Sequence, residues 1–393
     1  MFEFTPKMFE FTPKFVIWLW PICTFFTILG CAYALIAASL LRQFAQKKVS
    51  TLPSKPSVTI LKPLYGDEPG LEANLASFYQ QDYGGDVQLV FGLHDEADPA
   101  AVVVQRLRQQ FPGRNIALCV DPRLHGTNRK VSNLINMLPY VRHDVIVLAD
   151  SDIRVRPSYL RDVVATLGEP EVGLVSCLYR GVPGAGIWSR LAAAGINSHF
   201  LPNVLVGLKF GLAHPCFGAT IALRAETLGE IGGFEAFADR LADDYAIGMA
   251  VRGLGLGVAI PPVVVSHISY DRTFTDLVGH ELRLARTIRS IDPMGYAGLG
   301  LTNPIPFALG AAALGGFDPV SMILLLLTLA CRIVVSVQGE TLGSGNGGRV
   351  SPWLSPLRDL LSFVIFLASL FPGALVWRGY RFVLRSDGTV TPS

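Results

Sequence analysis

Residues 15–41 contain no charge, and about 20 apolar residues are enough for a helix to cross a bilayer. A run of this kind fixes the chain in a membrane near its amino end. A cleaved secretory signal would carry a shorter apolar stretch with a small-x-small cleavage site after it, whereas this run is too long and no clear site follows it. Arg42, Lys47 and Lys48 follow at once; basic residues collect on the cytoplasmic side, so the chain is expected to emerge there. Composition agrees with a membrane contribution, since only 16% of the residues are charged against about 25% in soluble domains. A net charge of +2 without a dense basic tract argues against a nucleic-acid partner. The six cysteines are scattered, with no Cys-x-x-Cys and no histidine cluster, which argues against a disulfide framework or a zinc site and fits a reducing compartment.

Residues 1–14 are Met-Phe-Glu-Phe-Thr-Pro-Lys written twice, a local duplication or an alternative start at Met8 rather than a structural repeat. A linker at 42–57 contains Pro53 and Pro56. Residues 58–302 then alternate between two patterns. Stretches 58–61, 87–93, 116–120 and 145–149 read as strands, and 71–81, 100–111 and 131–138 read as the helices between them. This alternation predicts an α/β domain with a doubly wound, mostly parallel sheet and right-handed crossovers.

The last of these strands, Val-Ile-Val-Leu-Ala, breaks into Asp150-Ser151-Asp152. Its five apolar residues read as a strand buried on both faces, and open α/β sheets bind ligands beyond the carboxyl ends of their strands. Two carboxylates one residue apart can hold Mg²⁺ or Mn²⁺ together with the diphosphate it neutralises. A nucleotide-sugar site is therefore the leading reading, with a solvated loop as the alternative. Asp95, just past the second strand, is expected on the same edge. Gly126 to Asn133 lead into a helix carrying Lys130, which suits either close approach to a phosphate at a helix amino end or a plain helix start with a surface lysine. Asp243 and Asp244 open a helical stretch at 246–252, as ordinary partners of the helix dipole or as members of a site. Arg283, Arg286 and Arg289 recur every third residue and so share one side of a helix; that stripe could embrace a diphosphate or lie on anionic headgroups. His199 stands in an apolar segment, either packed there or near a donor site, and the adjoining 201–212 run reads as bilayer-surface or core.

Beyond Asn303 the chain turns apolar again. Residues 305–317 are too short for a straight crossing and contain Pro306 and several glycines, so an interfacial or re-entrant segment is expected. Stretches 320–337 and 360–377 are long enough to span, provided Arg332 faces protein or snorkels. Arg378, Arg381 and Arg385 predict a cytoplasmic carboxyl end. The expected layout is thus a multi-pass membrane protein with a membrane domain at 303–385 and a tail at 386–393.

The ordered set Lys62-Pro63 with Gly66, Asp95, Asn128 to Asn133, Asp150-Ser151-Asp152, Ala242-Asp243-Asp244-Tyr245 and His280 to Arg289 resembles the ceramide glucosyltransferase family, inverting glycosyltransferases of GT-A fold. Arg123-Leu124-His125-Gly126 running into Asn128 to Asn136, Leu178-Tyr179-Arg180 and His280-Glu281-Leu282-Arg283 resemble more closely its bacterial hopanoid-biosynthesis branch, which glycosylates bacteriohopanetetrol. The resemblance implies a GT-A catalytic domain over 58–302 on the cytoplasmic face of a bacterial inner membrane, a UDP-sugar donor, a divalent metal and a membrane lipid acceptor. It implies a donor site of Lys62, Asp95, Lys130, Asp150, Asp152, Arg283 and Arg286, with Asp95 on the uridine half and Asp150 and Asp152 at the ribose, diphosphate and metal. Asp244 would be the catalytic base, with Asp243, His199 and His280 as further candidates. N-Acetylglucosamine on a hopanoid polyol is the first expectation, glucose on ceramide the second, and an inactive lipid- or sugar-binding relative the third. One departure stands out: the family pattern ends in Gln/Arg-x-x-Arg-Trp, and here His280 takes the first position and Leu284 the last. The tryptophan's stacking surface is lost with it.

Overall fold

The structure is a computed structural model and describes residues 13–49, 54–343, 348–371, 373, 375–377, 380–384 and 390–392. Most of the duplicated tail, together with Arg378 and Arg385, lies outside the described residues.

Ten strands build the catalytic region: β1 Val58–Pro63, β2 Val87–Leu93, β3 Asn115–Val120, β4 Val145–Leu148, β5 Ile153–Arg154, β6 Val172–Ser176, β7 Leu178–Pro183, β8 Ile221–Arg224, β9 Gly257–Ala259 and β10 Val264–Ser269. Seven of them form one sheet in the order β3-β2-β1-β4-β8-β6-β9. Its neighbours pair in parallel except at β8, which runs against both β4 and β6. Each early strand returns through a helix, Leu71–Tyr79, Ala100–Gln110 or Arg129–Met137. The expected mostly parallel α/β sheet is thus observed, with element ends within a few residues of those read from the pattern.

Both faces of the sheet are covered, which explains the unbroken apolar runs. Ile60, Phe91 and Val147 point into one core with Leu75, Phe78 and Val104. Their neighbours Leu61, Val90, Ile146 and Leu148 point the other way, toward Val131, Leu134 and Ile247. This is the two-residue alternation of a pleated strand, and each fully buried aliphatic side chain contributes about 1.5–3 kcal/mol. Register then positions the chemistry: Leu61 lies opposite Leu148, and Pro63 opposite Gly92. Consequently β2 and β4 deliver Asp95 and Asp150 to the same edge.

A second, three-stranded sheet, β5-β10-β7, lies beyond that edge. Its centre, β10, is antiparallel to β5 and parallel to β7. The sequence pattern had not indicated it, because β5 is two residues long and takes its partner from far along the chain.

Among the described residues, three helices are long and apolar enough to cross a membrane: Trp18–Gln46, Ile187–Lys209 and Pro319–Thr341. The first and third match the expected runs, while Ile187–Lys209 is largely buried within the protein, so of the two readings of 201–212 the structure favours core for Leu201 and Leu205 and exposure for Phe210 and Leu212. The 305–317 stretch is a short helix, Pro304–Leu314, bent by 54° from the preceding Pro293–Thr302 segment. It lies so close to the first helix that a Cβ at Gly30 would come within 2.6 Å of the Pro304 Cβ.

The span expected over 360–377 is not one helix. Ser355–Ser369 has 15 residues, about 22 Å at 1.5 Å per residue, and Leu375–Trp377 already pairs as a strand with Tyr380–Leu384. The helix gives out just ahead of Pro372-Gly373 in the sequence, a helix-breaking dipeptide. Its charged pair is buried: Arg358 is 4% exposed and Asp359 is fully enclosed. Arg332 does face protein, with its Nε 2.8 Å from Asp359 Oδ1.

Candidate active site

The Asp150-Ser151-Asp152 turn is held from beneath. Lys62, fully buried at the end of β1, donates from Nζ to the Asp150 carbonyl and lies 4.0 Å above the Phe78 ring. Burial draws its ammonium down to about 7, against the opposing pull of Asp150 and Asp152. Ser151 Oγ donates to Glu68 Oε2 at 2.7 Å, and Asn74 Nδ2 donates to the Ser151 carbonyl at 3.3 Å. With the middle residue anchored, the two carboxylates project from the sheet edge.

Lys130 gathers the acidic groups from distant segments. It sits in the first turn of the Arg129–Met137 helix, whose amino end is capped by Asn128 accepting from the Val131 N–H at 3.2 Å. Its Nζ is 2.7 Å from Asp150 Oδ1 and 3.5 Å from Asp243 Oδ2. Asn128 Nδ2 also donates to Asp243 Oδ1 at 3.2 Å, so Asp243, 6% exposed, is tied inward. Asp244 is presented differently. Its Oδ2 accepts from the Gly218 N–H at 3.0 Å and its Oδ1 from the Tyr245 N–H at 2.8 Å, while the side chain keeps an opening to solvent. Burial first, then the neighbouring Asp243 charge, raise its carboxyl to about 6. Gly218 couples the two halves: a Cβ there would fall 2.7 Å from Asp150 Oδ2 and 2.9 Å from Lys130 Nζ.

Asp152 faces the second sheet, where its Oδ2 meets His267 Nε2 of β10 at 3.1 Å. Burial pushes the Asp152 carboxyl up, but the His267 charge and hydrogen bond reverse this and hold it low. For His267 burial pulls down, and Asp152 more than restores the loss. Asp152 Oδ1 and His267 Nδ1 are buried without a hydrogen-bond partner among the described residues. A carboxylate oxygen suits Mg²⁺ or Mn²⁺ and an imidazole nitrogen suits Mn²⁺ once it gives up the proton it donates to Asp152, and two ligands at right angles on a six-coordinate ion at about 2.1 Å stand roughly 3 Å apart. The pair therefore fits such an ion. No three His, Cys, Asp or Glu side chains converge on one point among the described residues. Beside the pair opens a cleft of about 390 Å³, lined by Asp152, His267, Tyr270, Asp271, Arg272 and His280 among others.

Residues 22–390 match the family described as glycosyl transferase family 21. The chain belongs to that family. Among curated relatives, ceramide glucosyltransferase 1 of Caenorhabditis elegans is 25% identical over 358 residues, covering 88% of this chain and 75% of that protein. Ceramide glucosyltransferase 3 of the same organism is 25% identical over 393 residues, covering 93% and 82%. Among solved structures, the mannosyltransferase PcManGT from Pyrobaculum calidifontis, determined with GDP-Man and Mn²⁺, aligns with a TM-score of 0.51 at 19% identity, over 82% of this chain and 98% of that one. This likeness shows the fold, GT-A.

Of the residues singled out in the sequence, the glycosyltransferase brings together Lys62, Lys130, Asp150, Asp152, Asp243 and Asp244. Lys62 lies under the turn rather than facing the cleft, and Asp150 is engaged by Lys130 rather than sharing a point with Asp152. Asp95 is exposed on the same edge, its Oδ1 accepting from the Ala97 N–H at 2.9 Å. On the Phe274–Ile291 helix, His280 lines the cleft with Nδ1 3.6 Å from Asp271, and Arg283 follows one turn later. Arg286 lies against Gly373, toward the carboxyl-terminal segment. His199 is 3.1 Å from Asp359 and 3.0 Å from Arg332 Nη2, in the helical bundle; this is the packed reading, because a buried Arg–Asp pair recruits any polar neighbour.

His267 and Gly218 were missed, and Tyr179 was noted only within the Leu178-Tyr179-Arg180 match, without a role at the site. His267 is the one titratable residue in the strand-like stretch Val263-Val264-Val265-Ser266-His267-Ile268-Ser269, the signal that could have drawn attention to it. Gly218 and Tyr179 acquire their meaning only through tertiary contact.

Proposed function

We propose that this family 21 glycosyltransferase moves one hexose from a UDP-sugar to a hydroxyl of a membrane lipid with inversion, at the cytoplasmic face of a bacterial inner membrane. The observation that carries the reading is the Asp244 carboxylate, poised near neutrality and joined through Gly218 to the Lys130–Asp150 pair. A base that works at neutral pH needs a carboxyl raised in this way. Asp244 takes the proton of the acceptor hydroxyl as its oxygen bonds to the anomeric carbon. The bond from that carbon to the diphosphate breaks, and UDP leaves with the electron pair. Lys130 stands where negative charge collects, with Arg283 one helical turn from the cleft-lining His280. Asp152 and His267 would hold Mn²⁺ or Mg²⁺, which would supply charge neutralisation at the diphosphate. Asp95, exposed on the same edge, would contact the uridine half, as the family resemblance implies.

For the acceptor, the curated relatives' names support ceramide with glucose. The match at 123–136, 178–180 and 280–283 supports a hopanoid polyol with N-acetylglucosamine. The convergence of Lys130, Asp150, Asp152, Asp244 and His267 on one sheet edge speaks against an inactive binding relative. Mass spectrometry of the lipids made by purified protein, offered ceramide and bacteriohopanetetrol with UDP-glucose and UDP-N-acetylglucosamine, tests all of these. Product with either acceptor supports the transferase reading, and absence of lipid-dependent UDP release overturns it.

A further inference from the structure

We propose that Tyr179, Phe200 and Phe217 form the platform on which the acceptor is positioned, taking the place of the aromatic surface that Leu284 does not provide. The inference rests on the lipid-acceptor reading above and adds to it the residues that seat the acceptor. Tyr179, on β7, stacks on Phe200 with ring centroids 4.4 Å apart, meets Phe217 edge-on at 5.8 Å, and lies 5.5 Å from the His267 ring. Phe200 and Phe217 close the group at 5.1 Å. Each partner leads to a different part of the site. His267 is paired with Asp152, and Phe217 precedes Gly218, whose N–H holds Asp244. The Tyr179 ring thus bridges the side that holds the diphosphate and the side that holds the base, where an acceptor hydroxyl must lie.

The third ring connects this spot with the membrane bundle. Phe200 ends a turn of π-helix, Ile196–Phe200, a local widening that recurs at functional sites. Phe200 and Phe217 pack against Ala34, Ala38 and Leu41 of the first helix, Leu201 and Leu205, and Val335 of the Pro319–Thr341 helix. Apolar packing therefore continues from the helices to the partly exposed rings of Phe200 and Phe217. Tyr179 itself is only partly buried, and its hydroxyl makes no hydrogen bond to the described residues. An acceptor with a hydrocarbon body and a polar end fits this surface: the body along Phe200 and the helices, the polar end at the Tyr179 hydroxyl and Asp244.

The test is steady-state kinetics of the full-length protein in vesicles carrying the lipid that the wild type glycosylates, with acceptor and UDP-sugar varied separately. Tyr179→Leu is expected to raise the acceptor KM about tenfold, the scale of a lost aromatic contact, with the UDP-sugar KM within twofold of wild type. Tyr179→Phe, which keeps the ring, is expected to restore most of that loss. Should Tyr179→Leu fail to fold, Phe200→Leu carries the same expectation. Equal changes in both KM values, or no change in the acceptor KM, overturn the platform while leaving the transferase reading intact. A wild-type protein that glycosylates neither ceramide nor bacteriohopanetetrol overturns both.

Discussion

Asp152, in the turn that leads into β5, meets His267 of the neighbouring β10 at 3.1 Å. Each keeps one buried polar atom without a partner among the described residues. His267→Ala is expected to weaken Mn²⁺ binding by at least about 10–100-fold, the loss seen when even a partner that only orients a metal ligand is removed, measured by metal titration of the purified protein. Unchanged Mn²⁺ affinity would remove His267 from the metal site, and full activity in metal-stripped protein with EDTA would remove the metal itself.

Asp244 must be ionised to accept a proton, and burial with the Asp243 charge sets its carboxyl at about 6. Turnover is therefore expected to fall as pH drops through about 6. The Asp243 charge raises this carboxyl and Lys130 lowers it. Asp243→Asn should then move the acid limb to lower pH and Lys130→Met to higher pH, read from kcat/KM profiles. Limbs that stay in place or move the other way would contradict this electrostatic account.

Asp244→Asn keeps the shape of the side chain and removes the base. Transfer is expected to fall at least about a thousandfold, within the range that general-base loss and misplacement together produce, while UDP-sugar binding measured by calorimetry persists. Turnover near wild type would take the base assignment away from Asp244.

Gly218→Ala would set a methyl 2.7 Å from Asp150 Oδ2 and 2.9 Å from Lys130 Nζ. Either the ion pair opens or the strand shifts, and activity is expected to collapse with little loss of thermal stability, since the contact lies at the rim rather than in the core. A fully active Gly218→Ala protein would show that the close approach is not needed.

Arg332 and Asp359 are enclosed together, Nη2 to Oδ1 at 2.7 Å, with His199 beside them. Removing one partner leaves a buried charge unpaired, at a cost of about 3–5 kcal/mol. Arg332→Met and Asp359→Leu should each lower the unfolding temperature in detergent, and the double variant should recover much of the loss. Additive losses would show that the pair is not coupled.

The elements themselves were legible in the chain because they follow from local rules. Apolar runs buried on both faces marked β1, β2 and β4, and an uncharged stretch marked the first helix, since periodicity and desolvation act over a few neighbouring residues. The same logic placed Asp95 and Asp150 on one edge, given parallel strands. It also brought Lys130, Asp150 and Asp244 into view as candidates, because charge at the end of a buried run is conspicuous.

What the chain could not declare is which of these groups touch. Lys130 reaches Asp150 and Asp243 only because a helix amino end and a strand end from separate segments converge. His267 meets Asp152 only because β10 pairs with the two-residue β5, a long-range pairing with no local signature. The buried Arg332–Asp359 pair and the early end of the last helix likewise depend on side chains met from elsewhere in the bundle. Sequence by itself determined the membrane attachment, the α/β layering and the acidic sheet edge, all products of short-range pattern. Tertiary structure alone decided the partner of each charge, because that depends on distances between residues from separate elements, about twenty to more than a hundred positions apart.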